Sequence, residues 1–300
     1  MPRFLFILVL FGAASCSYIK LQQAPATTAD DWTMYGGTIG RTNAAKSVVA
    51  PPLAPVWEYD ASAGFSPYAA AIADSLLFIG NLQGELHIVH AATGQSLGSH
   101  DFGSAIVGTP IVDGGALYLA LTREEENLIC FNLTFGAIAW QKRIGDIESS
   151  PLLVGRRLYV TTVQGQLVCV AAKDGETLWT YDLPRTARTR IIRSSPASDS
   201  SIVVFGCDDG KVYAVGIDDG KFRWSANTGA SIVGSPSVWN GKVFVGSRDR
   251  NFYAFDILTG KQVWKRALGA MIVSSQAIGE GCVYVGTVGR NVFCLNAKTG

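Results

Sequence analysis

The sequence predicts an all-β fold, a β-propeller built from four-stranded blades. Two observations predict it: a self-similar unit that recurs about every 40 residues, and the kind of segment found inside each unit. One column of the unit is Pro in four of its six copies and recurs at intervals of 40, 41, 45, 40 and 40 residues. The positions in this column are Ala70, Pro110, Pro151, Pro196, Pro236 and Gln276.

The segments inside each unit are short apolar runs that are rich in β-branched and aromatic residues. Glycine and Asn/Asp turns bound them, and this combination is typical of strands. Asn240-Gly241 and Asp209-Gly210 lie between such runs and indicate tight hairpins. Four short strands per unit therefore give one propeller blade each, and six units give six blades.

The fourth strand of most units carries a tryptophan four residues after a turn glycine. Glycine tolerates the positive φ of a tight turn. A Trp near the end of an outer strand can pack on the neighbouring blade while its ring N–H donates to a carbonyl. We expect these residues to be structural, and we expect a weaker junction in the first unit, where Gly98 replaces the Trp. The pairs are Gly136 and Trp140, Gly175 and Trp179, Gly220 and Trp224, and Gly260 and Trp264.

The sixth unit ends at Gly300 without a fourth strand, whereas residues 53–59 resemble a fourth strand that lacks the other three. We expect Trp57 to be the missing tryptophan, so that the N-terminal strand completes the sixth blade and hides two sheet edges. The alternative is a truncated eight-bladed propeller, because any longer propeller cut after a third strand would show the same pattern.

The N-terminus predicts export. Residues 1–15 combine Arg3 with an apolar run too short to span a bilayer, which is typical of a signal peptide. Ala13-Ala14-Ser15-Cys16 resembles the bacterial lipobox, in which the Cys is lipidated; the alternative is an ordinary secretory signal cut near Ser15. We expect residues 16–31 to be the lipidated Cys and a periplasmic tether, and residues 32–300 to be one propeller domain.

Several function classes are disfavoured by composition. A formal net charge of +1 gives no electrostatic footprint for nucleic acid. The three histidines lie in the first unit, and His87 and His90 point to opposite faces of a strand, so no metal site is expected. The sequence has no CxxC motif. Cysteines that occupy an alanine column should be buried, and the remaining ones should be unpaired. The first group is Cys130, Cys169 and Cys294, and the second is Cys207 and Cys282.

The longest interval, 45 residues, contains an arginine-rich loop between the third and fourth units. Arginine beside exposed apolar side chains is typical of a protein contact site. The alternative is that the isoleucines begin a strand while the arginines remain solvated. The candidate partner-binding residues are Arg185, Arg188, Arg190, Ile191, Ile192 and Arg193.

One unit matches a known repeat in full. Residues 254–264, AFDILTGKQVW, fit the Ala-x-Asp-x-x-Thr-Gly-x-x-x-Trp signature of quinoprotein-like (PQQ-like) propellers, and Thr299-Gly300 matches in part. Together with the lipobox and the tether, these repeats resemble the outer-membrane β-barrel assembly lipoprotein (BamB) family. That family is typically eight-bladed, so a count of six blades is a departure from it.

This resemblance implies a non-catalytic scaffold, lipid-anchored and periplasm-facing at the outer membrane, that binds envelope proteins such as the barrel-assembly machinery and needs no cofactor. Two other functions compete with it. PQQ-dependent dehydrogenases have similar blades, but they bind the quinone with an adjacent Cys-Cys pair that this sequence lacks. The second competing function is that of a sensor that binds a ligand in the central channel. We assign no catalytic residues.

Overall fold

The computed structural model describes residues 18–45, 51–122 and 125–300, with the backbone alone for residues 67–69. Its strands form six antiparallel sheets, of which five have four strands in chain order and the sixth has three. The predicted all-β class with four-stranded blades is confirmed. Nowhere in the described ranges is there a helix long and apolar enough to cross a membrane.

The sheets follow one another along the chain. Sheet 1 contains β1 (Phe65–Ala73), β2 (Leu76–Asn81), β3 (Glu85–His90) and β4 (Ser96–Asp101). Sheet 2 contains β5 (Ile111–Asp113), β6 (Ala116–Ala120), β7 (Leu128–Asn132) and β8 (Ala137–Lys142). Sheet 3 contains β9 (Leu152–Val154), β10 (Arg157–Thr161), β11 (Gln166–Ala171) and β12 (Thr177–Asp182). Sheet 4 contains β13 (Ala197–Ser198), β14 (Ile202–Gly206), β15 (Lys211–Gly216) and β16 (Phe222–Asn227). Sheet 5 contains β17 (Ser237–Trp239), β18 (Lys242–Gly246), β19 (Asn251–Asp256) and β20 (Gln262–Ala267). Sheet 6 contains β21 (Ala277–Gly279), β22 (Cys282–Gly286) and β23 (Val292–Asn296).

The core lies between neighbouring sheets. Middle strands are buried along their length, as β14 shows, whereas the outer strand β16 is buried only at alternate positions. One cluster joins Trp224 of sheet 4 to Val243 and Tyr253 of sheet 5. Burial on both faces explains why the middle strands read as continuous apolar runs in the sequence.

The predicted closure of sheet 6 is not found. No described strand pairs with the free edge of β23, and residues 53–59 form no strand. The ring of Trp57 nevertheless packs on the turn at Gly94 in sheet 1, which is the contact that the tryptophan of a closing strand would make. A cavity of about 420 Å³ separates this side from sheet 6 and is lined by Ser66 and Ile79 on one side and Ser274 on the other.

Candidate functional site

Neighbouring sheets are joined by an aromatic ring packed over a turn glycine, an arrangement that we call a Trp–Gly junction. Four of the rings lie on the outer strand of one sheet, and each covers the turn that follows the third strand of the next sheet. The observed pairs are Trp140 on Gly175, Trp179 on Gly220, Trp224 on Gly260 and Trp264 on Gly300, with Trp57 on Gly94 before sheet 1. Sequence spacing indicated which residues form the junctions, and the structure shows that each Trp contacts the glycine of the following unit.

The junction between sheets 4 and 5 shows why both residue types are required. Trp224 is buried, and its Nε1 donates to the carbonyl of Ile257 at 2.7 Å. Gly260 has a φ of +68°, and a Cβ on it would lie 2.6 Å from the Trp224 ring. Glycine is needed there for its conformation and for the close approach of the ring.

The junction between sheets 3 and 4 has the same packing but different hydrogen bonding. Trp179 Nε1 is buried without a hydrogen-bond partner. The equivalent carbonyl, that of Ile217, accepts a hydrogen bond from the Tyr159 hydroxyl at 3.1 Å instead. Here the Trp ring contributes packing alone.

The junction between sheets 1 and 2 is built from a distant part of the chain. Gly98 leaves the tryptophan position of β4 empty, and the ring of Tyr18 occupies the space over Gly136. Tyr18 forms a parallel bridge with Ser99, and its hydroxyl donates to the carbonyl of Gly136. Ile19 beside it is 1% exposed. The predicted tether is therefore packed against the propeller from Tyr18 onward.

Sequence reasoning missed this contact, although Gly98 signalled it. The turn glycine Gly136 is retained, with a φ of +69°, so a ring was still needed over it. The following residues stay on the same two sheets: Leu21 N–H donates to the carbonyl of Leu133 at 2.8 Å, and Ala26 N–H to Asp74 at 3.2 Å.

A ladder of hydroxyl groups links the segments that lead into the first strands of sheets 2 to 6. In each step a backbone N–H donates to the hydroxyl of the equivalent residue in the next sheet, at 2.9 Å. This explains the small polar residues that precede the proline column, a feature to which the sequence alone assigned no role. The donors and acceptors are Thr109 to Ser150, Ser150 to Ser195, Ser195 to Ser235, and Ser235 to Ser275.

Residues 32–43, which we call the axial segment, run across the inner strands. Its carbonyls accept hydrogen bonds from the first strands of five sheets, and the side chain of Arg41 reaches the sixth. The segment thus fastens all six sheets at the centre. The backbone donors are Ile72, Val112, Ser198, Val238 and Ile278.

Arg41 is the central contact of the axial segment. Its guanidinium is 0% exposed and donates to the carbonyls of Tyr35 at 2.5 Å, Pro151 at 2.7 Å and Pro196 at 3.0 Å. Burial lowers the pKa of Arg41 to about 9, so the side chain remains cationic at neutral pH. Backbone carbonyls from three parts of the chain therefore compensate this buried charge.

The arginine-rich loop divides into two parts. Ile192 is fully buried between sheets 3 and 4 and belongs to the core, while Ile191 is half-buried. Arg190 pairs with Asp182 at 3.3 Å, and Arg193 pairs with Asp208 and with Glu148 at 3.2 Å. Arg185 and Arg188 are exposed. Of the six candidate residues, these two are free to contact a partner through their whole side chains.

The cysteines also fall into a buried group and a more exposed group. Cys130, Cys169 and Cys207 are buried free thiols, and burial raises their pKa to about 11, 11 and 12, respectively, so they remain protonated at neutral pH. The expectation that Cys294 would be buried is wrong: it is exposed, because no fourth strand covers β23. In the described part of the chain, no three potential ligands among His, Cys, Asp and Glu lie close enough to bind a metal ion. Cys16, the predicted lipidation site, lies outside the described residues.

The blades are similar to those of known proteins. A family model described as "Outer membrane protein assembly factor BamB" matches residues 44–141 and 117–300. The chain belongs to this family. A fold comparison agrees: BamB from Moraxella catarrhalis superimposes with a TM-score of 0.64 at 19% identity, over 79% of this chain and 73% of that one.

Two curated relatives show how far the similarity extends. BamB of Burkholderia pseudomallei is 33% identical over 109 residues, which cover 32% of this chain and 27% of that protein. The quinoprotein alcohol dehydrogenase PedH of Pseudomonas putida is 32% identical over 105 residues, covering 32% of this chain and 18% of the enzyme. The chain therefore matches about a quarter of the first relative's length and a smaller part of the second's.

Proposed function

We propose that this BamB-family protein is a lipid-anchored scaffold on the periplasmic side of the outer membrane, where it binds other envelope proteins during outer-membrane protein assembly. The observation that carries the proposal is the family match across most of the blades. A framework of six sheets that displays loops of varying sequence supports such a role, because loops on a fixed framework are where binding residues concentrate.

The axial segment fills part of the axis, and the cavity of about 420 Å³ beside it is lined by Trp32, Tyr35 and Asn43 of that segment. In a propeller, a ligand or quinone would be expected along the central channel, but here the axial segment lies on the inner strands. Arg41 is fully buried there and held by backbone carbonyls. These residues do not fit a PQQ site, and the sequence lacks the adjacent Cys pair that the dehydrogenases use.

We propose that the partner contacts Arg185 and Arg188 on the loop between sheets 3 and 4. Both are exposed, and neither forms a salt bridge with a described residue. The neighbouring Arg190 and Arg193 hold the loop in place through Asp182 and Asp208. Two free guanidinium groups on a fixed loop suit an acidic partner surface, because each can bind a carboxylate through two parallel hydrogen bonds.

The test is affinity purification from gently solubilised native membranes, read by mass spectrometry. The variant Arg185→Glu/Arg188→Glu is compared with Arg156→Glu/Lys173→Glu, which makes the same charge change on exposed turns at the opposite end of sheet 3. Barrel-assembly proteins should co-purify with the wild type and the control but be lost with the loop variant. Retention by the loop variant would place the docking surface elsewhere, and enrichment of no envelope protein by the wild type would refute the scaffold function.

The PedH similarity makes a cofactor-binding propeller the second candidate, and a separate measurement tests it. A ligand that binds only the folded state raises the melting temperature. Added PQQ and Ca²⁺ should leave the melting temperature unchanged if the residues around the axis do not fit the quinone. A saturable increase would favour the cofactor-binding function.

A further inference from the structure

We propose that the propeller rests on the membrane at the junction of sheets 1 and 2, with the turn that carries Phe135 inserted among the lipid headgroups beside the anchor. The proposal deepens the proposed function and rests on its lipid anchor at Cys16. It concerns one corner of the molecule, formed by Tyr18, Lys20 and the turn at residues 133–136.

The anchor is attached to this corner by a very short connection. Tyr18 packs on Gly136, and Cys16 precedes it by only two residues. An extended chain spans at most about 3.6 Å per residue, so two residues reach about 7 Å. A lipid on Cys16 therefore holds Tyr18, and with it Gly136 and its neighbours, close to the headgroup region.

The turn at this corner differs from its five counterparts. Phe135 is 75% exposed. The equivalent position is polar and exposed in every other sheet, and the residues there are Thr93, Asp174, Asp219, Thr259 and Thr299. Phe135 N–H donates to Asn132 Oδ1 at 2.9 Å, and Gly136 N–H to the Asn132 carbonyl at 2.8 Å, so the turn is fixed and its aromatic side chain projects from it.

Two independent features thus coincide. The one turn with an exposed aromatic side chain at this position is also the turn on which the chain leading to the anchor is docked. Exposed Lys20 adds a positive charge at the same corner. An apolar ring beside a cation is the chemistry that recognises a lipid surface with anionic headgroups. A lipid anchor alone would leave the orientation free, whereas this corner fixes it.

The experiment uses the full-length lipidated protein in vesicles of phosphatidylethanolamine and phosphatidylglycerol that contain a diazirine-bearing phospholipid. After irradiation, cross-linked peptides are identified by mass spectrometry. The matched control is the turn of sheet 5, where Leu258 is 67% exposed but lies far from the anchor along the chain. Residues 133–136 should be labelled several-fold more than residues 257–260. Phe135→Ser should remove most of that labelling, and Leu258→Ser should not change it.

The possible failures can be distinguished. If mass spectrometry finds lipid on Cys16 but both turns are labelled equally, the proposed orientation is wrong, while the proposed lipid anchor is supported. If Cys16 carries no lipid, the anchoring part of the proposed function fails. In that case a His tag replaces residues 1–16, and the protein is bound to nickel-chelating vesicles. Labelling of residues 133–136 would then still support the membrane-facing corner, and its absence would overturn it.

Discussion

The junction between sheets 4 and 5 and the junction between sheets 1 and 2 solve the same packing problem with different parts of the chain. In the first, Trp224 lies on the outer strand itself, is buried, and covers Gly260. In the second, Gly98 leaves that position empty, and Tyr18 covers Gly136 from outside the repeat. The comparison teaches that the invariant requirement is a ring over a turn glycine, whatever strand supplies it.

The two junctions should differ in strength and in what they connect. Tyr18 is 54% exposed, whereas Trp224 is 7% exposed, so the ring of Tyr18 removes less apolar surface from water. The regular junction connects two consecutive sheets through residues of the repeat itself. The substituted junction also ties the N-terminus, and with it the proposed anchor, to a defined place on the propeller.

The largest effect is expected from Trp224→Ala. Removing a buried ring leaves a cavity between sheets 4 and 5 and leaves the Ile257 carbonyl without its donor, which should cost about 3–5 kcal/mol of unfolding free energy. Urea denaturation measures the loss. Phe222→Ala, which truncates a half-exposed ring on the same strand, is the control and should cost far less. Equal losses would show that the junction has no special role.

Gly260→Ala should follow, at about 2–4 kcal/mol, because the new Cβ adds overpacking against the Trp224 ring to an unfavourable positive φ. The control is Gly241→Ala, where φ is +70° but no atom lies within 4 Å of the added Cβ. The difference between the two variants in urea denaturation isolates the close approach. If both cost the same, conformation alone explains the glycine.

Tyr18→Ala should cost about 1–2 kcal/mol, since a half-exposed ring and one hydrogen bond are lost. The loss should be local, with faster amide hydrogen exchange in β4 and in residues 133–136. Tyr18→Phe, which keeps the ring, should lose only part of this protection. An unchanged exchange pattern in Tyr18→Ala would mean that the two sheets are held together without the ring.

These contrasts also show how much the sequence could predict. The Trp–Gly junctions were predictable because both residue types recur at fixed local spacing and the interaction follows from their chemistry. The end of sheet 6 could not be predicted in this way, because residues 53–59 match the repeat pattern but form no strand. Trp57 illustrates the limit of prediction from a repeat. The pattern indicated a ring that packs on a neighbouring sheet, but it could not show whether the surrounding residues pair with β23.

Contacts between distant residues outside the repeat could not be predicted from the sequence either. Tyr18 and Gly136 are 118 positions apart, and a polar stretch after a signal peptide resembles a tether when read alone. The arginine-rich loop is a second case in which the sequence alone was not sufficient. Its composition indicated a contact site, but only the geometry separates paired Arg190 and Arg193 from exposed Arg185 and Arg188.

A smaller effect should appear with pH, because ionisation changes without the loss of a side chain. His100 packs among Phe102 and Phe131 near Tyr18, and His87 is buried in sheet 1; burial lowers the pKa of both imidazoles. Below the ordinary pKa of about 6.5, the unfolded chain binds protons that the folded chain does not, so stability should fall as pH falls from about 7 to 5. Hydrogen exchange should rise in sheet 1 first. His87→Gln/His100→Gln should flatten this slope, and an unchanged slope would assign it to carboxylates.

The smallest effect compares two junctions that differ by one hydrogen bond. Trp224→Phe removes an indole N–H that bonds Ile257 at 2.7 Å and leaves a buried carbonyl unsatisfied. Trp179→Phe removes an N–H that has no partner, because Tyr159 already bonds Ile217. Both variants make the same change of side chain, but only Trp224→Phe breaks a hydrogen bond, so Trp179→Phe should be less destabilising by about 1 kcal/mol. Adding Tyr159→Phe to Trp179→Phe should restore the missing cost, because the Ile217 carbonyl then loses its only side-chain donor among the described residues. If the two single variants are equally stable in urea, the ring N–H contributes nothing to these junctions, and packing over the glycine is their whole basis.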